Sequence, residues 1–271
     1  MVEVVYKERL GNNLFQYCIG RIIAEGLGYK LKADPIPCFP KTSEILEGED
    51  CSHAPRQVFS GQYIDIESIL QDKTKRHIII DGYFQRYEYY RPYKTKIKMW
   101  LATEPCTYGE DVSSRDAIIC MRRDDSVWNM NALPLSYYEG ALRGLSVHRF
   151  YICTDDIHDW YIKKVARVYH AKIMSLQPEQ QIKFIMAFNN IIISQSSFQW
   201  WAAFLSKAEE IYFPIPLEGY WSDQQKYGID VRVTEEKRYK YVRCIEKYKI
   251  TSRDKIYSLY KRVKRRIGLL K

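Results

Sequence analysis

The sequence lacks several patterns that would assign a function directly. No apolar run approaches the ~20 residues that a membrane-spanning helix needs. Neither the Walker phosphate loop nor the Gly-x-Gly-x-x-Gly dinucleotide motif occurs. The seven cysteines include no Cys-x-x-Cys pair, and the five histidines show no metal-ligand spacing. These absences argue against a transmembrane protein, a motif-defined nucleotide enzyme and a zinc-binding module, and they predict no bound metal.

Cysteine usage and the first residues predict a cytoplasmic protein. The cysteines are odd in number and several lie in apolar runs, which favours free thiols in a reducing compartment over disulfides. The β-branched run Val2–Tyr6 reads as a strand, so we expect no signal peptide at this end of the chain.

Composition indicates a globular protein with an anionic partner. The 271 residues are 46% hydrophobic and 28% charged, which suffices for one large domain or two smaller ones. The net charge of +9 favours nucleic acid, membrane headgroups or a phosphorylated substrate. The 23 tyrosines would suit either stacked bases or sugar rings. Composition alone does not decide between these partners.

The order of the predicted elements favours a parallel α/β fold. A strand at Val2–Tyr6 leads through a Gly turn into a helix, and His77–Asp81 forms a second buried strand. After a polar segment at 103–114, strands and helices alternate strictly from Ala117–Met121 to Glu210–Phe213. We therefore predict a first domain at 1–105, a second at 106–225 with a doubly wound sheet, and a tail at 226–271.

The predicted tail is basic, rich in tyrosine and helical. Apolar residues recur at helical spacing, namely Ile256, Leu259, Tyr260, Val263, Ile267 and Leu270. The other face carries basic residues, namely Lys255, Lys261, Arg262, Lys264, Arg265 and Arg266. The helix would either lie on an anionic membrane surface or pack on the body with a solvated basic face. Both alternatives remain open at this point.

Polar clusters follow three strands of the second predicted domain: Arg122–Asp125, Thr154–Asp156 and Ser194–Ser197. Carboxyl ends of parallel strands share one edge of a sheet, where ligands bind. The arginine pair would hold a phosphate through its guanidinium forks, and the serines would place helix amides around it. The clusters therefore predict a nucleotide-diphosphate site. The alternatives are a surface ion-pair cluster for the first and helix capping for the other two.

Five ordered segments between Leu10 and Pro214 resemble glycosyltransferase family 11, the α-1,2-fucosyltransferases. The family's Gly-Leu-Gly-Asn-Gln-Leu/Met-Phe-Gln-Tyr opening is similar to Arg-Leu-Gly-Asn-Asn-Leu-Phe-Gln-Tyr here. Its His-x-Arg-Arg-Gly-Asp motif is similar to Cys-Met-Arg-Arg-Asp-Asp. The segments that carry the resemblance are Arg9–Tyr17, Gly82–Gln85, Cys120–Asp125, Phe150–Asp156 and Gln195–Leu205.

The resemblance implies a GT-B-like fold with two facing Rossmann-like domains and a C-terminal helical tail. It also implies an inverting, metal-independent transfer of fucose from GDP-fucose to a glycan hydroxyl, without a further cofactor. The acceptor would belong to a surface polysaccharide or a glycoprotein glycan. Carried over by position, the catalytic residues are Arg122, Arg123 and Asp125. The donor-binding residues are Gly11, Asn12, Asn13, Cys120, Asp124, Asp155, Asp156, Gln195, Ser196, Ser197 and Phe198.

Three site positions depart from the family pattern: Cys120 replaces His, Asp124 replaces Gly and Gln195 replaces Asn. A transferase that uses another nucleotide sugar therefore stays open. From another class, a basic nucleic-acid binder or a non-catalytic glycan-assembly protein also stays open, with nucleic acid the less expected partner.

The resemblance does not reveal a general base. Asp124, Asp125 and Glu88 are the candidates. The adjacent Trp200 and Trp201 are expected in the core and not on a sugar-binding surface.

Overall fold

The computed structural model describes residues 1–266. Within this range the chain forms ten strands and ten α-helices. The strands are β1 (Val2–Val4), β2 (Leu31–Lys32), β3 (Arg56–Gly61), β4 (His77–Gly82), β5 (Ala117–Met121), β6 (Phe150–Thr154), β7 (Lys172–Met174), β8 (Asn190–Ile192), β9 (Glu210–Ile215) and β10 (Tyr239–Arg243). The helices are α1 (Leu10–Leu27), α2 (Ile66–Gln71), α3 (Tyr87–Tyr90), α4 (Lys94–Trp100), α5 (Leu135–Leu142), α6 (Trp160–Val168), α7 (Pro178–Ile185), α8 (Ser197–Leu205), α9 (Gln224–Tyr227) and α10 (Ser252–Arg266).

The first four strands form a parallel sheet in the order β2-β1-β4-β3. Strand β1 lies in the middle, with Val2 paired to Leu31 on one side and to Ile78 on the other. Parallel strands covered on both faces favour β-branched residues, which accounts for the run of three isoleucines in β4. The predicted strands at Val2–Tyr6 and His77–Asp81 are thus neighbours in one sheet.

The remaining six strands form a second parallel sheet in the order β7-β6-β5-β8-β9-β10. When the six strands are renumbered 1 to 6 in chain order, starting from β5, their order across the sheet is 3-2-1-4-5-6, as in doubly wound folds. Strand β5 is central and buried at all five positions. The strand order reverses between β5 and β8, and ligands of such sheets bind outside the carboxyl ends of the strands at that point.

The predicted α/β fold with parallel sheets is confirmed, but the predicted helical tail is wrong in part. Tyr239–Arg243 is strand β10, which pairs with β9 at the edge of the second sheet. Lys240 and Arg243 place charges along this strand, as is common at sheet edges, so no apolar run marked it. Strand β3 was missed for the same reason, since most of its positions are exposed. Among residues 1–266, no helix combines the length and apolar character needed to cross a bilayer.

An aromatic junction joins the two sheets. Phe15 of α1 lies 5.1 Å from Trp200 and 4.8 Å from Trp201 of α8, measured between ring centroids. Tyr87 and Phe204 extend the cluster, with their rings 6.1 Å apart. Both tryptophans are fully buried, which confirms their expected place in the core. The junction holds the N-termini of α1 and α8 against each other.

Candidate functional site

The first and third polar clusters lie side by side at the point where the strand order reverses. Ile119 of β5 pairs with Ile192 of β8. Counting three residues onward along both strands places Arg122 level with Gln195, next to the start of α8. The second cluster lies on the other side of β5, because Thr154 pairs with Met121. The ligand crevice is therefore bordered mainly by the arginine and serine clusters.

Two helix N-termini meet at this crevice without side-chain caps. Arg9 precedes α1 and Ser196 precedes α8, and neither side chain caps its helix. Neither first turn contains an acidic residue. Helix N-termini carry partial positive charge and free N–H groups, so their convergence is unfavourable unless an anion lies between or beside them. The arrangement provides a site for phosphate.

Gly11 permits this close approach of the helices. A Cβ atom at this position would lie 2.3 Å from the backbone nitrogen of Phe198 and 2.7 Å from Oγ of Ser197. No side chain fits such a distance, and the first of these contacts is to backbone, which cannot rotate away. Gly11 and Phe198, both predicted to bind the donor, therefore contact each other and define the shape of the crevice.

Asn12 joins the two halves of the site. Its Oδ1 accepts hydrogen bonds from Oγ of Ser197 at 2.8 Å and from Nε2 of Gln85 at 2.9 Å. Its Nδ2 donates to Oε2 of Glu8 at 2.6 Å. These bonds engage the carbonyl oxygen and one of the two N–H groups of the side chain, so Asn12 positions the site. Oδ1 of the neighbouring Asn13 is buried and has no hydrogen-bond partner among the described residues.

Arg122 is the cation that faces the crevice from β5. Its side chain is 25% exposed and contacts both carboxylate oxygens of Asp125 at 3.0 Å. Asp125 therefore holds the guanidinium in place, and a phosphate can bind the remaining N–H groups bidentately. The catalytic roles of Arg122 and Asp125 stay predictions.

Arg123 lies in the interior, which corrects the prediction that it binds phosphate. Its side chain is 2% exposed and contacts Asp159 at 3.1 Å and Asp254 at 2.6 Å. Its guanidinium lies 4.6 Å from the ring centroids of both Tyr161 and Tyr248. Burial alone would lower the pKa of Arg123, but the surrounding carboxylates outweigh burial and raise it. Successive residues of extended backbone point to opposite sides, so Arg122 and Arg123 cannot both face the crevice.

Two further residues that were predicted to bind the donor have contacts within the protein. Cys120 is fully buried within the core, where burial raises the pKa of its thiol. Asp155 accepts hydrogen bonds from the backbone amides of Arg123 at 2.9 Å and Asp124 at 3.3 Å, so it holds the loop that follows β5. The N-cap of α6 is not at Asp155 or Asp156. Asp159 caps this helix, accepting from the amide of Tyr161 at 2.8 Å.

Helix α10 supplies a cation that sequence patterns did not assign to the site. Nζ of Lys261 contacts Asp124 at 2.8 Å and Asp156 at 3.1 Å. Burial alone would lower the pKa of Lys261, but both carboxylates outweigh it and raise the pKa, so the side chain stays charged. Arg9 also approaches Asp124, at 3.8 Å. The carboxylate that replaces the family glycine is therefore balanced by cations.

The sequence marked Lys261 only as one of several basic residues on a helix. Its two carboxylate partners lie more than a hundred residues earlier, and no local signal links them. Within residues 1–266, no group of three or more His, Cys, Asp or Glu side chains is arranged to hold a metal ion.

Gln195 ties together the loops around the crevice. It is 5% exposed, and its Nε2 donates to the carbonyl oxygen of Glu218 at 3.0 Å. Its Oε1 accepts from the amide of Trp221 at 3.2 Å. Trp221 stacks on Phe213 and lines a neighbouring cavity of about 340 Å³. Gln195 would therefore act on a donor through the loops that it holds, and not by direct contact.

The fold is that of a Rossmann-like α/β protein, with a crevice at the point where the strand order of the second sheet reverses. The family model of glycosyl transferase family 11 matches residues 115–252, which run from just before β5 to the start of α10. No curated protein matches the chain. Because the match covers half of the sequence, the chain belongs to glycosyl transferase family 11 and is a glycosyltransferase.

Proposed function

We propose that this protein transfers a sugar from a nucleotide-diphosphate donor to a hydroxyl group of a glycan, with inversion and without a metal ion. The meeting of two uncapped helix N-termini beside Arg122 carries the proposal, because a diphosphate leaving group needs this environment. The two parallel sheets would act as the facing halves of a GT-B fold. The units would be residues 1–105 and 106–225, with β10 added to the second.

The reaction in this proposal is a single displacement. The acceptor oxygen attacks the anomeric carbon from the face opposite the diphosphate, and the bond from that carbon to the phosphate oxygen breaks. Negative charge then grows on the departing diphosphate. Arg122 and the first amides of α8, beginning at Ser197, stabilise this charge without having to reorganise.

GDP-fucose is the favoured donor, and this preference rests on the resemblance to the α-1,2-fucosyltransferases. The balanced charge of Asp124 supports a donor site of the family type despite the departure from glycine. Another nucleotide sugar remains the alternative. A surface polysaccharide or a glycoprotein glycan is the proposed acceptor. The free cysteines support a cytoplasmic setting, where nucleotide sugars are made.

The donor assignment is tested by thermal unfolding in the presence of GDP-, UDP- and dTDP-sugars. A ligand at a hundredfold excess over its Kd stabilises the folded state by about 2.7 kcal/mol. We therefore expect GDP-fucose and GDP to raise the unfolding temperature by roughly 5–10 °C. A shift with UDP- or dTDP-sugars alone would assign a different donor and leave the proposed nucleotide site in place. If none of the nucleotides shifts the transition, the proposed function is wrong.

Glu8 is the general base in this proposal. Its backbone lies in the left-handed region with φ at 64°, which is uncommon for a residue other than glycine. Its carboxylate accepts hydrogen bonds from Asn12 and Tyr83, both uncharged, and makes no ion pair among the described residues. The side chain of Asn12 links it to Ser197, because Asn12 hydrogen-bonds to both residues. The carboxylate thus belongs to the part of the crevice formed by α1 and β4, whereas Arg122 follows β5 of the second sheet.

The three base candidates from sequence are less suited because each is paired with a cation. Asp125 contacts Arg122, and Asp124 contacts Lys261. Glu88 contacts Arg86 at 2.6 Å and is mostly exposed. An ion pair stabilises the charged carboxylate and weakens it as a proton acceptor.

Replacing Glu8 with glutamine is expected to lower kcat by about 10²–10⁴-fold, the usual contribution of a general base. The thermal shift caused by the donor should stay at its wild-type value, because the amide preserves the shape of the side chain. Glu88→Gln is the matched control and should keep wild-type turnover. Wild-type kcat in Glu8→Gln would remove this residue from the mechanism.

A further inference from the structure

Helix α10 docks on the protein through its polar face. Asp254 is buried and contacts Arg123, and the hydroxyl of Tyr257 donates to Asp156 at 2.9 Å. Lys261 contacts Asp124 and Asp156. The spacings of three and four residues place these side chains on one side of the helix. The inward face of α10 is therefore held by ion pairs and hydrogen bonds.

The opposite face of α10 is apolar and exposed. Ile256 is 68% exposed and Leu259 is 61% exposed, and Tyr260 and Val263 are about half exposed. An amphipathic helix of a globular protein normally turns such residues toward the core. An exposed apolar stripe of this kind marks a surface that binds a partner. Ile267 and Leu270, which were predicted on the apolar face, lie outside the described residues, and only the backbone of Arg265 is described.

Basic residues border the apolar stripe on both sides. On a helical projection, Arg253 and Lys264 flank one margin, and Lys255, Arg262 and Arg266 flank the other. The single acidic residue of the helix is Asp254, which points inward and is paired. The outward surface of α10 therefore combines an apolar centre with margins of one charge sign.

We propose that this surface, Arg253 to Arg266, binds an anionic lipid membrane with α10 lying in the plane of the headgroups. An apolar stripe between basic margins is the pattern of interfacial helices, and anionic headgroups attract the margins. A second copy of the chain is a poor occupant, because the same face would bring ten basic side chains together. The ion pairs of Lys261 and the hydrogen bonds of Tyr257 would hold the membrane-facing helix beside the ligand crevice.

The test is co-sedimentation of the full chain with vesicles, without donor. We expect binding to vesicles of phosphatidylglycerol and phosphatidylcholine, little binding to phosphatidylcholine alone, and release by high salt. The triple variant Ile256→Ser, Leu259→Ser, Val263→Ser should bind at least about tenfold more weakly. Its matched control exchanges three exposed apolar residues elsewhere in the chain, Ile45, Val58 and Val168, for serine and should bind as the wild type does.

A second pair of variants tests the charged margins. Arg262→Gln with Lys264→Gln should weaken binding about tenfold, because each basic residue near the surface contributes. Lys207→Gln with Lys237→Gln removes the same charge from exposed positions elsewhere and should leave binding unchanged. All four variants change exposed or half-exposed side chains, and an unaltered urea midpoint confirms that each is folded.

Three results would overturn the membrane proposal. The first is equal binding to neutral and anionic vesicles, or none to either. The second is wild-type binding by the apolar triple variant. The third is a dimer in solution that the triple variant converts to a monomer, since a second copy would then cover the stripe. None of these measurements involves donor binding. A negative result would therefore overturn the membrane proposal and leave the proposed transfer reaction untouched.

Discussion

Replacing Arg122 with alanine is expected to lower kcat by about 10²–10³-fold, the usual loss when a donor to a developing oxyanion is removed. Arg122 is partly exposed, and its described ion pair is with Asp125 at the crevice. The fold should therefore survive, with a urea midpoint close to that of the wild type. The measurement is release of the nucleotide diphosphate at saturating donor and acceptor.

Three variants show whether the loss comes from the guanidinium itself. Arg122→Lys keeps the charge but loses the planar fork, so we expect it to recover only part of the activity. Asp125→Asn removes the partner that orients Arg122 and should have a smaller effect than Arg122→Ala. Arg143→Ala removes an exposed arginine after α5 and is the matched control. Wild-type activity in Arg122→Ala would place the leaving-group contact elsewhere.

Replacing Arg123 with methionine is expected to lower the free energy of unfolding by about 3–5 kcal/mol. Methionine fills part of the space but leaves Asp159 and Asp254 buried without their cation. The contact of the guanidinium with two tyrosine rings is lost as well. Equilibrium unfolding in urea measures the change. Arg143→Met is the control, and a loss below about 1 kcal/mol in Arg123→Met would show that the pair is not a structural anchor.

The same anchor predicts how stability depends on pH. Burial tends to raise the pKa of Asp254, but hydrogen bonds from Thr251 and Tyr248 and the charge of Arg123 outweigh it and lower the pKa. A lowered folded-state pKa stabilises the protein above the unfolded value of about 3.9 and loses this contribution as the pH falls further. The wild type should therefore lose stability below about pH 4 more steeply than Arg123→Met. Parallel curves for the two proteins would contradict this prediction.

The neighbouring arginines show why adjacent identical residues can have different roles. Arg122 faces the crevice, whereas Arg123 faces the interior between α6 and α10. Of the two arginines that follow β5, the crevice thus receives only one, because successive residues of extended backbone point to opposite sides. The buried member still matters for the site, since it anchors the helix that carries Lys261.

The α/β fold with parallel sheets was predictable because its signals are local. The run Ala117–Met121 is apolar at every position, as expected for a central parallel strand. The serines that precede α8 also lie next to the element they define. Gly11 was predicted in a turn before α1 but lies within the first turn of that helix. Edge strands β3 and β10 were not predictable in this way, since one or both faces are exposed and their residues carry no continuous apolar pattern.

Motifs and buried strands are properties of neighbouring residues, so the family and the parallel α/β fold could be predicted from the order of the amino acids. Which of the two arginines is buried depends on the packing of α6 and α10 near the end of β5, so it became visible only in the three-dimensional structure. The tertiary fold also brought Lys261 to Asp124 and the apolar face of α10 to the surface. These results depend on contacts between residues more than a hundred positions apart. In α10, ion pairs compete with apolar burial for the inward face of the helix. The spacing of residues along the chain does not reveal which of the two faces will lie against the protein.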